Sequence, residues 1–105
     1  MKDLFFDPEG NPTTADKLEG YVKFKIVEQT SLKSHWISTV WLGINHAWGN
    51  SPPLIYETMV FLTTPGGAPD FGEACEQQRY VARADAFLGH YLMVARWTKI
   101  EAGDA

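Results

Sequence analysis

Apolar and polar positions alternate most clearly in three stretches. Over Tyr21 to Glu28, Val22, Phe24 and Ile26 fall on one side and Tyr21, Lys23, Lys25 and Val27 on the other, the period of a half-buried strand. Trp36 to Ile44 is rich in β-branched and aromatic residues and predicts a second strand. Leu54 to Thr63 predicts a third. The Asn45–Pro53 segment between the last two holds Asn, Gly and two prolines, so the pair reads as an antiparallel hairpin with a long, structured loop. A shorter apolar run, Leu4–Phe6, leads into Asp7–Pro12, whose Asp, Gly and Pro residues predict a tight turn. Thr13 or Thr14 is placed to cap a short helix running through Leu18. Glu76–Val81 predicts a short fourth strand.

The period changes to that of a helix over Ala82 to Trp97, where two stripes line up. Ala84, Phe87, Leu88, Tyr91, Val94 and Ala95 form the more apolar one, expected to face the core. Ala86, His90, Met93 and Trp97 form a second stripe nearly opposite, expected to be an outward interface for a second copy of the chain. The alternative is that this stripe packs under Leu4–Phe6 of its own chain. Gly89 costs about 1 kcal/mol in a helix interior, so a close backbone approach is expected there.

The expected fold is therefore α+β: a three- to five-stranded, mainly antiparallel sheet packed against one C-terminal helix, with residues 1–105 forming one domain. Both faces of the third strand are largely apolar, which predicts cover by the helix on one face and by a loop, another chain or a ligand on the other. Glu57 interrupts that strand between Ile55 and Met59. A buried carboxylate needs a partner, and a loop amide or a cross-strand basic group is expected.

Composition narrows the function. The apolar fraction of 45% and charged fraction of 21% are those of a globular protein. A net charge of −4 argues against general nucleic-acid binding, although Tyr21, Lys23 and Lys25 share a strand face. No apolar run is long enough for a membrane span, and Met1–Asp7 is too acidic and short for a signal peptide. The one cysteine, Cys75, excludes an internal disulfide framework and has no activating motif. The glycines of Pro65–Pro69 lack the Lys-Ser/Thr of a phosphate-binding loop.

The stretch from Ser38 to Phe61 (STVWLGINHAWGNSPPLIYETMVF), with the Asp7–Pro12 turn and the helix pattern of Ala86, Gly89, His90, Met93 and Val94, resembles a family of small uncharacterised bacteriophage and prophage proteins. Asn45 stands where that family commonly has aspartate, and Trp48 where it has phenylalanine. Val81-Ala82 replaces the Ser/Thr helix cap expected after Arg79-Tyr80. The resemblance implies a phage or prophage setting, in the cytoplasm of a bacterial cell, and no particular chemistry.

The candidate ligand- or partner-binding group is Asn45, His46, Trp48 and Glu57. His46 has the chemistry of a base, a metal ligand or a proton switch, and Glu57 that of its orienting carboxylate. The spacing supplies no three-ligand metal set, His35 and His90 lying on other elements. A packing role for His46 and Trp48 is expected, with Trp48 at least half buried. The reading is a non-enzymatic protein that acts by protein binding, inhibition of a host system included, and that self-associates. No cofactor, metal or membrane is expected. The alternative is a small-molecule binder or enzyme using the Asn45–Glu57 loop.

Overall fold

The computed structural model describes residues 3–103. Met1 and Lys2, the start of the stretch read against a signal peptide, lie outside them. The fold is α+β. Four antiparallel strands, β3 (Ile26–Ser31), β4 (His35–Trp41), β5 (Tyr56–Leu62) and β6 (Glu76–Tyr80), lie side by side in chain order. A two-stranded ribbon of β1 (Phe5–Phe6) and β2 (Pro12–Thr13) precedes them, and the helix α1 (Arg83–Glu101) follows. The expected hairpin is the centre of the sheet: β4 and β5 pair antiparallel with Trp36 opposite Phe61 and Val40 opposite Glu57. Its loop follows a ladder prolonged by the Leu42 N–H bonding the Ile55 carbonyl at 2.7 Å.

The Asp7–Pro12 turn forms as its residues require. Asp7 Oδ1 accepts the Glu9 and Asn11 amides at 3.0 and 2.9 Å, and Gly10 takes φ 90°, a conformation that favours glycine. Tyr56 anchors this ribbon to the sheet: it is fully buried, and its hydroxyl donates to the Pro8 carbonyl. Phe6, Trp41 and Ile55 are buried in the same cluster.

Two expected elements differ. Tyr21–Phe24 is not strand: Ala15–Phe24 winds as 3-10 helix, and β3 begins only at Ile26. A 3-10 helix has three residues per turn, so Leu18 and Tyr21 stack on one side. Both pack on the cluster around Trp41, with the Tyr21 and Trp41 rings edge to face at 6.1 Å. Tyr21 therefore shares no strand face with Lys23 and Lys25. Thr14 stands at the N-cap, but its hydroxyl bonds Asp16 instead of a backbone amide.

The two stripes of α1 both exist, with their roles exchanged. Ala86, His90 and Met93 are buried against the sheet and Trp97 is half-buried, whereas Phe87, Leu88 and Tyr91 are exposed. The stripe expected to be an interface is thus core, covered by its own chain. Phe6 shares a cluster with Ala86, as the alternative had it, but the sheet provides the cover for Met93, through Ile37 and Val60. The reason lies in what the sheet presents. A Cβ at Gly89 would overlap the Tyr80 hydroxyl and ring, so only a glycine lets that ring lie against the helix. The Trp97 indole N–H donates to Glu76 at 2.8 Å, and His90 meets threonine hydroxyls. Rotating the helix to bury Phe87 and Leu88 would break all of these contacts. At the far end Glu101 accepts the Lys33 and Ser34 amides and His35 Nδ1, at 2.9, 2.7 and 2.7 Å.

The opposite sheet face carries Trp36 and Phe61, capped by Phe71 from the connection to β6, with ring centroids 5.1 to 6.2 Å apart. A loop thus covers that end of the second face.

Candidate functional site

The Asn45–Pro53 loop is organised from its base. Asn45 Oδ1 accepts the Ala47 amide at 2.7 Å and the Leu54 amide at 3.1 Å, and the His46 N–H bonds the Leu54 carbonyl at 3.0 Å. These bonds close the loop without aromatic packing, so Trp48 projects outward at 91% exposure, contrary to the expected half burial. His46 is exposed as well. Glu57 sits on β5, 7% exposed, and accepts Arg79 Nε at 2.9 Å from the facing position of β6. It has the cross-strand basic partner expected of it. Among the described residues no hydrogen bond or ion pair joins His46 to Glu57. The four candidates therefore do not converge: Asn45 builds the loop, Glu57 pairs within the sheet, and His46 and Trp48 face solvent. A surface hollow of about 340 Å³ beside the start of α1 is lined by Pro8, Glu9, Tyr21, Phe24 and Arg83, none of the four.

A second constellation lies under α1. His90 Nδ1 is 2.8 Å from Thr39 Oγ1, His90 Nε2 is 2.8 Å from Thr30 Oγ1, and Thr39 Oγ1 is 2.5 Å from Thr58 Oγ1. A hydroxyl beside an imidazole is the material of nucleophilic catalysis. Here His90, Thr39 and Thr58 are wholly buried, so no substrate reaches them. Burial holds the imidazole below its ordinary pKa, and Glu28 opposes this from β3. The hydroxyls serve either ring tautomer, donating to one nitrogen and accepting from the other. The network satisfies buried polar atoms and fixes the helix on the sheet. No local sequence pattern announces it, because Thr30, Thr39 and Thr58 come from three strands. The available signal is a histidine in register with Ala86 and Met93.

The third feature is the outward side of α1. Phe87, Leu88, Tyr91 and Leu92 are 46 to 62% exposed, and the Phe87 and Tyr91 rings pack edge to face at 5.1 Å. Phe24, 42% exposed, stands by the start of the helix, where its carbonyl accepts Arg83 Nη1 at 3.3 Å. Scattered apolar side chains are normal on a protein surface, whereas a group of large ones on one helix face is a candidate for an interaction site.

Among the described residues no group of three or more His, Cys, Asp or Glu side chains is placed to hold a metal ion, and no helix is long and apolar enough to cross a membrane. Cys75 is a free, exposed thiol. Compared with family models, curated proteins and solved structures, the chain matches none.

Proposed function

We propose that this protein acts by protein–protein contact, self-association included, and not by catalysis. The outward face of α1 is the contact surface. The observation that carries this reading is the row of four large, half-exposed apolar side chains, Phe87, Leu88, Tyr91 and Leu92, on one helix. The histidines support it by their placement: one is sealed in the core, one is paired with Glu101, and one is isolated on a loop. The setting rests on the resemblance to phage and prophage proteins, and occupying the surface of a host protein in the bacterial cytoplasm is the mode of action that suits it.

The test is affinity capture from phage-infected bacteria with four tagged forms: unchanged, Leu88→Glu/Leu92→Glu, His46→Ala and Glu57→Gln. Proteins retained by the unchanged form should be retained by the last two and lost from the first variant. Retention by all four, or loss on His46→Ala or on a Glu57→Gln form whose thermal melt shows it folded, would overturn the reading.

A further inference from the structure

We infer that the outward face of α1 binds a second copy of this chain, helix against helix, antiparallel across a two-fold axis. This rests on the preceding reading and names the partner for the same face.

The spacing supplies a seam. Ala84, Leu88, Tyr91, Ala95 and Thr98 follow one another at intervals of four, three, four and three residues, and all are exposed. That is the repeat that keeps one helix face against a neighbour. Setting two such helices antiparallel about a point between Tyr91 and Leu92 lays Leu88 of each copy on Ala95 of the other. A large side chain then meets a small one twice, and alanines near both ends allow interaxial distances of roughly 8 to 10 Å.

Charge selects the antiparallel arrangement. Asp85 lies in the first turn of α1 and Lys99 in the last, and both are exposed. Among the described residues neither takes part in an ion pair within the chain, whereas Arg96 is held by Glu76 at 2.6 Å. The antiparallel register brings Asp85 of each copy beside Lys99 of the other and opposes the helix dipoles. A parallel pair would set like charge against like.

The area is of the right size. At roughly 200 Å² for a large apolar residue, half exposure leaves about 100 Å² each, so Phe87, Leu88, Tyr91 and Leu92 offer on the order of 400 Å². The exposed alanines and the alkyl stem of Lys99 extend this toward the ~800 Å² per partner of a standard interface. A patch that serves both copies is what a two-fold contact requires.

Sedimentation velocity up to on the order of 100 µM decides the matter. The unchanged chain should dimerise, and Leu88→Glu should weaken the dimer by at least about tenfold. Lys99→Glu should weaken it a few-fold by setting two acids together, and Asp85→Lys with Lys99→Glu should restore it. Thermal melts at a concentration low enough for the unchanged chain to be monomeric should agree across the variants and show that they fold, as expected for exposed positions. A monomer throughout would overturn the second-copy inference, while the capture experiment still judges the face itself. A dimer indifferent to Leu88→Glu would likewise overturn it, by placing the dimer contact on another surface. A dimer broken by Leu88→Glu but not restored by the charge exchange would overturn the antiparallel register.

Discussion

Replacing His90 with glutamine should flatten the dependence of stability on pH between about 7.5 and 5.5. The imidazole is wholly buried and its pKa lies below the ordinary 6.5, chiefly through desolvation. In the unfolded chain the ring is free to take up a proton near its ordinary pKa. The unfolded state therefore binds more protons over this interval, and folding stability falls as pH falls. The stabilising contribution is complete above the unfolded pKa and is lost progressively below it, down to the folded pKa. One proton gives at most about 1.4 kcal/mol per pH unit, so the ceiling for a ring that stays neutral down to pH 5.5 is about 1.4 kcal/mol. For a chain of about this length that ceiling limits the fall in melting temperature to at most roughly 6 to 11 °C. Glu101 does not confuse the measurement. Burial pushes its pKa up, but the bonds from His35, Ser34 and Lys33 outweigh this and leave it below the ordinary 4.5. Its contribution is lost only as pH falls below 4.5. The assay is urea unfolding by tryptophan fluorescence at a series of pH values, with His46→Gln as a control on an exposed ring. His90→Gln should be less stable than the unchanged chain at pH 7.5, with a smaller loss on acidification. Equal losses in the two proteins would refute the assignment to His90.

Two further outcomes follow from local geometry. Gly89→Ala should fail to stabilise the protein despite a gain of about 1 kcal/mol in helix propensity, because its Cβ meets the Tyr80 ring; in a Tyr80→Ala background the same change should stabilise it, with a coupling of about 1 to 3 kcal/mol by denaturant titration. Asn45→Ala should cost about 1 to 3 kcal/mol by leaving the Ala47 and Leu54 amides unbonded, whereas Asn45→Asp, which keeps the acceptor oxygen, should cost less in the same titration.

The β4–β5 hairpin was legible because strand periodicity and β-branched composition agree over both segments, and the Asp7–Pro12 turn because Asp, Gly and Pro each act locally. Both stripes of α1 were legible for the same reason. Their assignment was not, because ranking by apolar content favours Phe87, Leu88 and Tyr91 over Ala86 and His90. What decides the rotation is non-local: the Tyr80 ring against Gly89, hydroxyls from two strands on His90, and the Glu76 carboxylate that accepts the Trp97 N–H. The Tyr21–Phe24 segment misleads differently, since four residues are too few to separate a period of two from one of three. Trp48 misleads because side-chain size reads as a demand for cover, while one asparagine closes the loop beneath it.

Placing the helix after all four strands of its sheet has a consequence for synthesis. The strands pair only with chain neighbours, so the sheet can assemble in the order in which it leaves the ribosome. The patch of its inner face that the helix alone covers, with Ile37 and Val60, stays wet until the 19 residues of α1 have left the tunnel as well. A chain held in that interval presents an apolar patch that only α1 covers, the kind of transiently exposed surface that makes a folding intermediate prone to aggregate.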